Sequence, residues 1–547
     1  MPECIQCKSQ FVVTDEDRKF YKKFEVPEPI FCPSCRQQRR LSWRNERNIY
    51  KRKCDLTGKD FVSNYSPDKP FTVYSPEAWY SDDWEALQYG MDFDFSKPFF
   101  EQYKELQKKV PRIGLSVVNN ENSPYVNQSW NSKNSHMCFD MGFSEDAMYC
   151  DMVYHSKNIV DSSLVRNSEL SYSLLDSVKC YNSIWLQDCN NCSDAYFSFD
   201  CKQCSNIAFC FNLRNKNNCI FNKQVTDKEF KIFLKDIKSG SYEKWNLYVE
   251  RFKKEVLSKA IRKENHNLNN ENCTGDYILS SRDCHHCYDC ETSENCRYST
   301  RLDERIISTM DLDNASIAEL VYDSVTVTGY NLRFTYNSYH ESNNSLTYCD
   351  TLRLCSDCFG CVSMKNKKYC ILNRQYSKED YDKLIPKIIE HMMQIGEWGG
   401  FFPATLSPFA YNESVAQEYY PLTKEEVLKR GWKWKEFEQK NYQKQTYELP
   451  DNISETSDEI MNELLACNDC GRNYKIIFQE LKFYRNMGLP IPRKCHECRH
   501  KERMALRNPR KLFSRNCDRC YKSIQTTYSP DRPEKVYCEE CYLKEVY

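Results

Sequence analysis

Glycine is scarce in this chain, with 14 in 547 residues, well under the ~7% of average usage. Loops that cradle phosphate need glycine for close backbone approach, and no GxxxxGK[ST] segment occurs. A GxSxG elbow and an HExxH helix are also missing, which excludes the commonest serine-nucleophile and zinc-protease signatures. Histidine is thin too, nine residues scattered along the chain, and no Cys–His pairing stands out as a nucleophile. No apolar run is long enough to cross a bilayer and none follows Met1, so neither a membrane span nor a secretory leader is expected. A surplus of one charge is lacking as well: the formal net charge is -1, at a mean hydropathy of -0.77. The first expectation is a polar, multi-domain, non-catalytic protein.

What is abundant is cysteine, 32 residues. Disulfide frameworks suit small secreted domains, whereas a large chain with terminal CxxC pairs suits thiolates holding zinc in a reducing cytoplasm. Cys4, Cys7, Cys32, Cys35 and Cys54 recur as Cys467, Cys470, Cys495, Cys498 and Cys517, each 463 positions later. Phe20-Tyr21 recurs as Phe483-Tyr484, and Arg36, Arg40, Arg44 and Arg47 recur as Arg499, Arg503, Arg507 and Arg510. The two ends are therefore copies of one module. Two CxxC pairs can surround one zinc tetrahedrally, and the second pair opens a segment able to form a helix.

The CxxC pair, the aromatic-rich hairpin, the Phe-Tyr pair and a CxxCR knuckle running into basic residues resemble a treble-clef zinc-ribbon family, over roughly forty residues at each end. The resemblance implies zinc binding and no reaction; the whole architecture is similar to cysteine-rich bacterial proteins with such ribbons. A second unit follows each copy. At the C-terminus it carries Cys517, Cys520, Cys538 and Cys541, but the N-terminal counterpart reads Cys54, Thr57, Ser75 and Ala78. Three structural zinc ions are predicted, the N-terminal ribbon being held instead by packing through Trp79 and Trp84. Closed four-thiolate sites leave no open coordination position, so they fold a chain and do not catalyse.

If residues 36–47 are helical, Arg36, Arg40, Arg44 and Arg47 lie on one stripe. In the other copy Pro509 ends the helix near Arg507 and leaves Arg510 in the exit turn. Such a stripe beside a rigid zinc core is a candidate phosphate-binding surface, which makes nucleic acid or a ribonucleoprotein the expected partner. The alternative is a solvated face with arginines paired to Glu46 or Glu502.

From Ser132 the sequence can be written in twelves, from SKNSHMCFDMGF to CSNIAFCFNLRN, with Ser or Cys first and usually Asn or Asp third. No helical period explains this, and the pattern suits turns between short strands of a parallel β-solenoid, with one turn per twelve or twenty-four residues. A second array runs from about Asn272 to Gln375, less regular between Arg301 and Thr328, and both arrays close with similar segments 151 positions apart. Cys189, Cys192, Cys201 and Cys204 would stack as neighbours. Buried thiols are favoured there, with metal ligands the alternative, and the balance is closer for Cys284, His285, His286, Cys287 and Cys290. Asp176, Asp188 and Asp200 recur at one repeat position, as turn caps or as an acidic groove that could house an enzyme site.

The predicted fold is mainly β and multi-domain. Residues 1–50 form a treble-clef module, 51–130 a zinc-free ribbon with a helical linker, and 131–222 the first solenoid block. A helical insert follows at 223–271, the second block at 272–375, helices and linker at 376–463, a second treble clef at 464–512 and a zinc ribbon at 513–547. Helices are expected over 227–265, 376–395 and 423–440, an ordered linker from Glu397, and a flexible hinge in the acidic stretch before Met461. In this reading the heads make contacts and the middle is a scaffold. A protein partner on the solenoid face is the rival to nucleic acid.

Overall fold

A computed structural model describes residues 1–302, 306–319, 321–437 and 442–547. They fall into two compact units, each assembled from distant parts of the chain. One joins Met1–Ser116 to Asn265–Glu436 and the other joins Val117–Glu264 to Phe437–Tyr547. The N-terminal head thus belongs with the second array and the C-terminal head with the first, so the middle is not a bare spacer between free ends.

Each array is a parallel strand ladder. In the first, Ser163 pairs with Leu175, Ile184 with Tyr196 and Ser205 with Asn217, so a residue's partner lies twelve positions on, not twenty-four. In the second, Asn344 pairs with Ser356 and Ser356 with Lys368, while the step changes at Glu294↔Ile307 and Tyr330↔Asn344. Residues 303–305 and 320, within the stretch expected to be irregular, lie outside the described residues. Both ladders end in an antiparallel turn, Cys219↔Gln224 and Cys370↔Gln375.

The backbone explains the composition. Through the first array every third residue is left-handed, as at Asn182, Trp185, Asp188 and Asn191, with φ of 47°, 56°, 56° and 52°. Asn and Asp tolerate that region better than other side chains, and they fill many of these corners where glycine would otherwise serve. Two residues before each corner stands an inward position: Cys180, Ser183, Leu186, Cys189 and Cys192 are all buried. Ser and Cys interchange there because both satisfy the same backbone group. Ser183 Oγ donates to the Tyr181 carbonyl at 2.9 Å, and Cys192 Sγ donates to the Asn190 carbonyl at 3.5 Å.

Helices cover one corner row. Trp185, Phe197, Phe209 and Phe221 stack at 5.9, 5.0 and 5.0 Å, in a conformation bulky residues rarely adopt. Trp245 and Phe252 pack on Phe197 from the segment formed by helix Tyr242–Arg251 and the π-helical turn Phe252–Leu257. The preceding helix, Asp227–Ile237, opens with the Thr226/Glu229 capping box. In the second-array unit, helix Lys378–Gln394 is capped by Ser377. It leads into a segment whose Trp398, Phe401, Phe402 and Phe409 are buried with Phe334, Tyr348 and Phe359.

Two expectations need correction. The helix opened by Thr423 spans only Lys424–Lys429; residues 438–441 lie outside the described residues. The acidic stretch before Met461 is packed rather than hinge-like, because Ile453 and Ile460 are buried among Ile476, Leu481 and Tyr484.

Candidate metal centres

Three groups of four thiols converge: Cys4, Cys7, Cys32 and Cys35; Cys467, Cys470, Cys495 and Cys498; and Cys517, Cys520, Cys538 and Cys541. Within each group all sulfurs lie within 4.8 Å of one another. Cys7–Cys32, Cys470–Cys495 and Cys520–Cys538 are each separated by 3.7 Å between sulfurs. That is far beyond the ~2.05 Å of a disulfide and close to the ~3.8 Å edge of a tetrahedron with ~2.3 Å zinc–sulfur bonds. All-sulfur tetrahedral donor sets suit zinc, and the geometry fits that ion.

The local folds follow from the sequence. Cys32 and Cys495 are the N-caps of helices Pro33–Leu41 and His496–Met504, so each second CxxC pair sits on a helix start. The ribbons are copies too: Tyr50↔Ser63 and Phe513↔Thr526 are equivalent pairs of their hairpins. At the degenerate positions, Ser75 caps its helix through Ala78 N–H and donates its own N–H to Cys54 Sγ. Trp79 is fully buried there and its carbonyl accepts from Trp84 Nε1 at 2.8 Å.

The arginine face is not where its spacing placed it. Both knuckle helices stop before the stripe ends, at Leu41 and at Met504, and the retained arginines turn into their own unit. Arg36, Arg40 and Arg44 are at most 2% exposed. Arg36 Nε donates to Asp311 at 2.6 Å; Arg40 bridges Asp313 at 2.9 Å and Asp323 at 2.8 Å, and Arg39 also bonds Asp323. Three guanidiniums thus face three carboxylates. Burial pushes the Asp311 carboxyl up against the pull of Arg36 and Arg40. At Asp323 burial acts the same way, but Arg39 and Arg40 outweigh it and hold the carboxyl below the ordinary aspartate range. Arg44 pairs with Glu46, as the alternative reading had it, but inside the unit and shared with Arg301; Arg47 is half-buried.

The C-terminal copy repeats the arrangement. Arg499 lies 2.8 Å and Arg503 3.3 Å from Asp161, and Arg507 donates to Asp176 at 2.9 Å; Arg510 is half-buried. Glu502 pairs with Lys494 instead of an arginine of the stripe. Asp200 holds Arg214 and Tyr542. Asp176 and Asp200 of the recurring position therefore take cations or a hydroxyl from inside the unit, and the ladder serves as a docking strip for the head.

The array thiols stay apart from the histidines. Cys284, Cys287 and Cys290 point inward and are buried, while His285 is half-buried and His286 exposed. His286 stacks flat on Tyr298 at 5.5 Å. Burial pushes the Cys287 and Cys290 thiols up; at Cys189 burial acts the same way, but hydrogen bonds from Cys192 and Cys201 outweigh it and bring the thiol down to about 6. Cys189, Cys192, Cys201 and Cys204 each donate to a backbone carbonyl, as a serine would. Cys201→Ser is accordingly expected to cost under ~1 kcal/mol and to leave metal content unchanged. Cys201→Leu, which overpacks the interior, should cost ~1–3 kcal/mol in thermal unfolding.

The aspartate partners of the arginines were missed from the sequence. Asp161, Asp176 and Asp311 stand at left-handed corners, with φ of 51°, 47° and 61°, as do many other Asn and Asp of the arrays, so the sequence did not single them out. Among the described residues no helix is long and apolar enough to cross a membrane. In comparison with known proteins, no family model matches the chain and no curated protein matches it.

Proposed function

We propose that the chain is a zinc-organised, non-catalytic scaffold, in which each of two β-solenoids with twelve-residue coils is clamped by a head and offers its remaining face to protein partners. The observation that carries this reading is the use of the arginines: they neutralise buried aspartates of their own unit and leave little guanidinium for phosphate. Supporting it, exposed rungs of the first array alternate in sign. Lys133 lies 3.0 Å from Glu121 and Lys157 3.0 Å from Glu145, a self-compensated face rather than a basic one. The ladder step of twelve supports the solenoid, and 32 unbridged cysteines suit a reducing cytoplasm.

Binding to short RNA and DNA across a salt series tests the choice between protein and nucleic acid. No retention at ~0.15 M salt is expected. Affinity that falls steeply with salt, in a protein whose melting is unchanged, would return nucleic acid to the front through other cations.

A further inference from the structure

The two knuckle helices are copies, yet their outer sides meet different surroundings. In the second-array unit Arg39, Ser42 and Trp43 are buried. Trp43 stacks on Phe402 at 4.8 Å and sets its edge against Phe401 at 5.8 Å, and its Nε1 donates to the Pro403 carbonyl. Ser407 Oγ donates to the Ser42 carbonyl at 2.8 Å, and Phe401 N–H donates to Asp323 at 2.9 Å. The chain's own segment EWGGFFPATLSPF, residues 397–409, fills that side of the helix.

The equivalents in the first-array unit, 463 positions later, are Glu502, Ala505 and Leu506. Glu502 and Ala505 are exposed and Leu506 is half-buried. These residues line a cavity of about 460 Å³, whose far wall includes Tyr172, Trp185 and Trp245. The change from Trp43 to Leu506 removes an indole, and among the described residues no Phe-Phe segment stands against this helix. Gln187, also on the wall and 9% exposed, has its side-chain oxygen without a partner. A buried carbonyl oxygen left in this way calls for an N–H donor.

We propose that this cavity is a peptide-binding pocket for an aromatic segment of a partner protein, of the Phe-Phe-Pro type that the other unit supplies to itself. Aromatic walls bury the rings, and an N–H of the incoming backbone meets Gln187 as Phe401 N–H meets Asp323. The protein's own segment is not free to serve, since Phe401 and Phe402 are at most 2% exposed in their own unit. The inference rests on the scaffold reading and names one of its contacts; its failure would leave the other faces open to partners, whereas nucleic-acid binding would sink the reading itself.

The test uses a labelled synthetic peptide of residues 397–409 with blocked ends, titrated by anisotropy against the full-length, zinc-loaded chain. Saturable one-to-one binding is expected. It should weaken at least tenfold when Phe401 and Phe402 of the peptide are changed to alanine, and at least tenfold in Leu506→Glu, which sets a charge in the apolar wall. Ala505→Trp, which fills the rim from an exposed position, serves the same end should Leu506→Glu fold poorly. Absence of saturable binding overturns the pocket. So does binding that both rim variants leave unchanged, which would mean that the peptide displaces its counterpart in the other unit.

Discussion

Three zinc ions per chain are expected from native mass spectrometry of the intact protein, and stripping them should unfold both heads. Each tetrad brings four sulfurs within 4.8 Å, an arrangement that thiolate repulsion would disperse without a cation. Structural zinc in such small modules supplies ~10–16 kcal/mol of folding free energy, as much as the whole stability of an ordinary domain. The effect should not stop at the heads. The N-terminal knuckle helix carries the guanidiniums that neutralise Asp311, Asp313 and Asp323, so its loss leaves buried carboxylates unpaired. Chelation is expected to lower the melting temperature of the arrays as well, read by circular dichroism alongside metal content. Cys495→Ala should drop the count to two. An apo protein that melts like the holo form would contradict the assignment.

Arg40→Ala is the substitution expected to cost most among the arginines, ~3–5 kcal/mol, because it strands buried carboxylates. Arg40 is fully buried and within hydrogen-bond distance of Asp313 and Asp323. Arg18 is the internal control: it pairs with Asp15 and Glu28 on the surface, each at 2.9 Å. Screened by solvent, that pairing adds little, so Arg18→Ala should melt almost as the parent does. Were the stripe a solvated face, the two variants would be indistinguishable in chemical denaturation.

The three tetrads and the degenerate ribbon were legible in the sequence because cysteine spacing is a local signal: two sulfurs per turn, with the ligands simply missing at Thr57, Ser75 and Ala78. The twelve-residue period was legible for the same reason, since the inward Ser and Cys answer to a carbonyl two residues back, as Ser183 does at Tyr181. What could not be read was which array each head would join. Arg36 and Asp311 are 275 positions apart and Arg503 and Asp161 are 342 apart, and nothing local distinguishes an arginine aimed at solvent from one aimed at a distant carboxylate. The fate of the stripe turned on that pairing. The acidic segment before Met461 misled in a related way: its charges read as a linker, while Ile453 and Ile460 anchor it.

The most direct test of the clamp is a double-mutant cycle on Arg36 and Asp311, using Arg36→Ala, Asp311→Ala and the pair, with unfolding free energies from denaturant titration. A coupling energy of ~2 kcal/mol or more is predicted, since the double variant removes both charges while either single one strands its partner. Additive effects within ~0.5 kcal/mol would mean that the two side chains do not meet, and that the arginines are free to face a ligand after all.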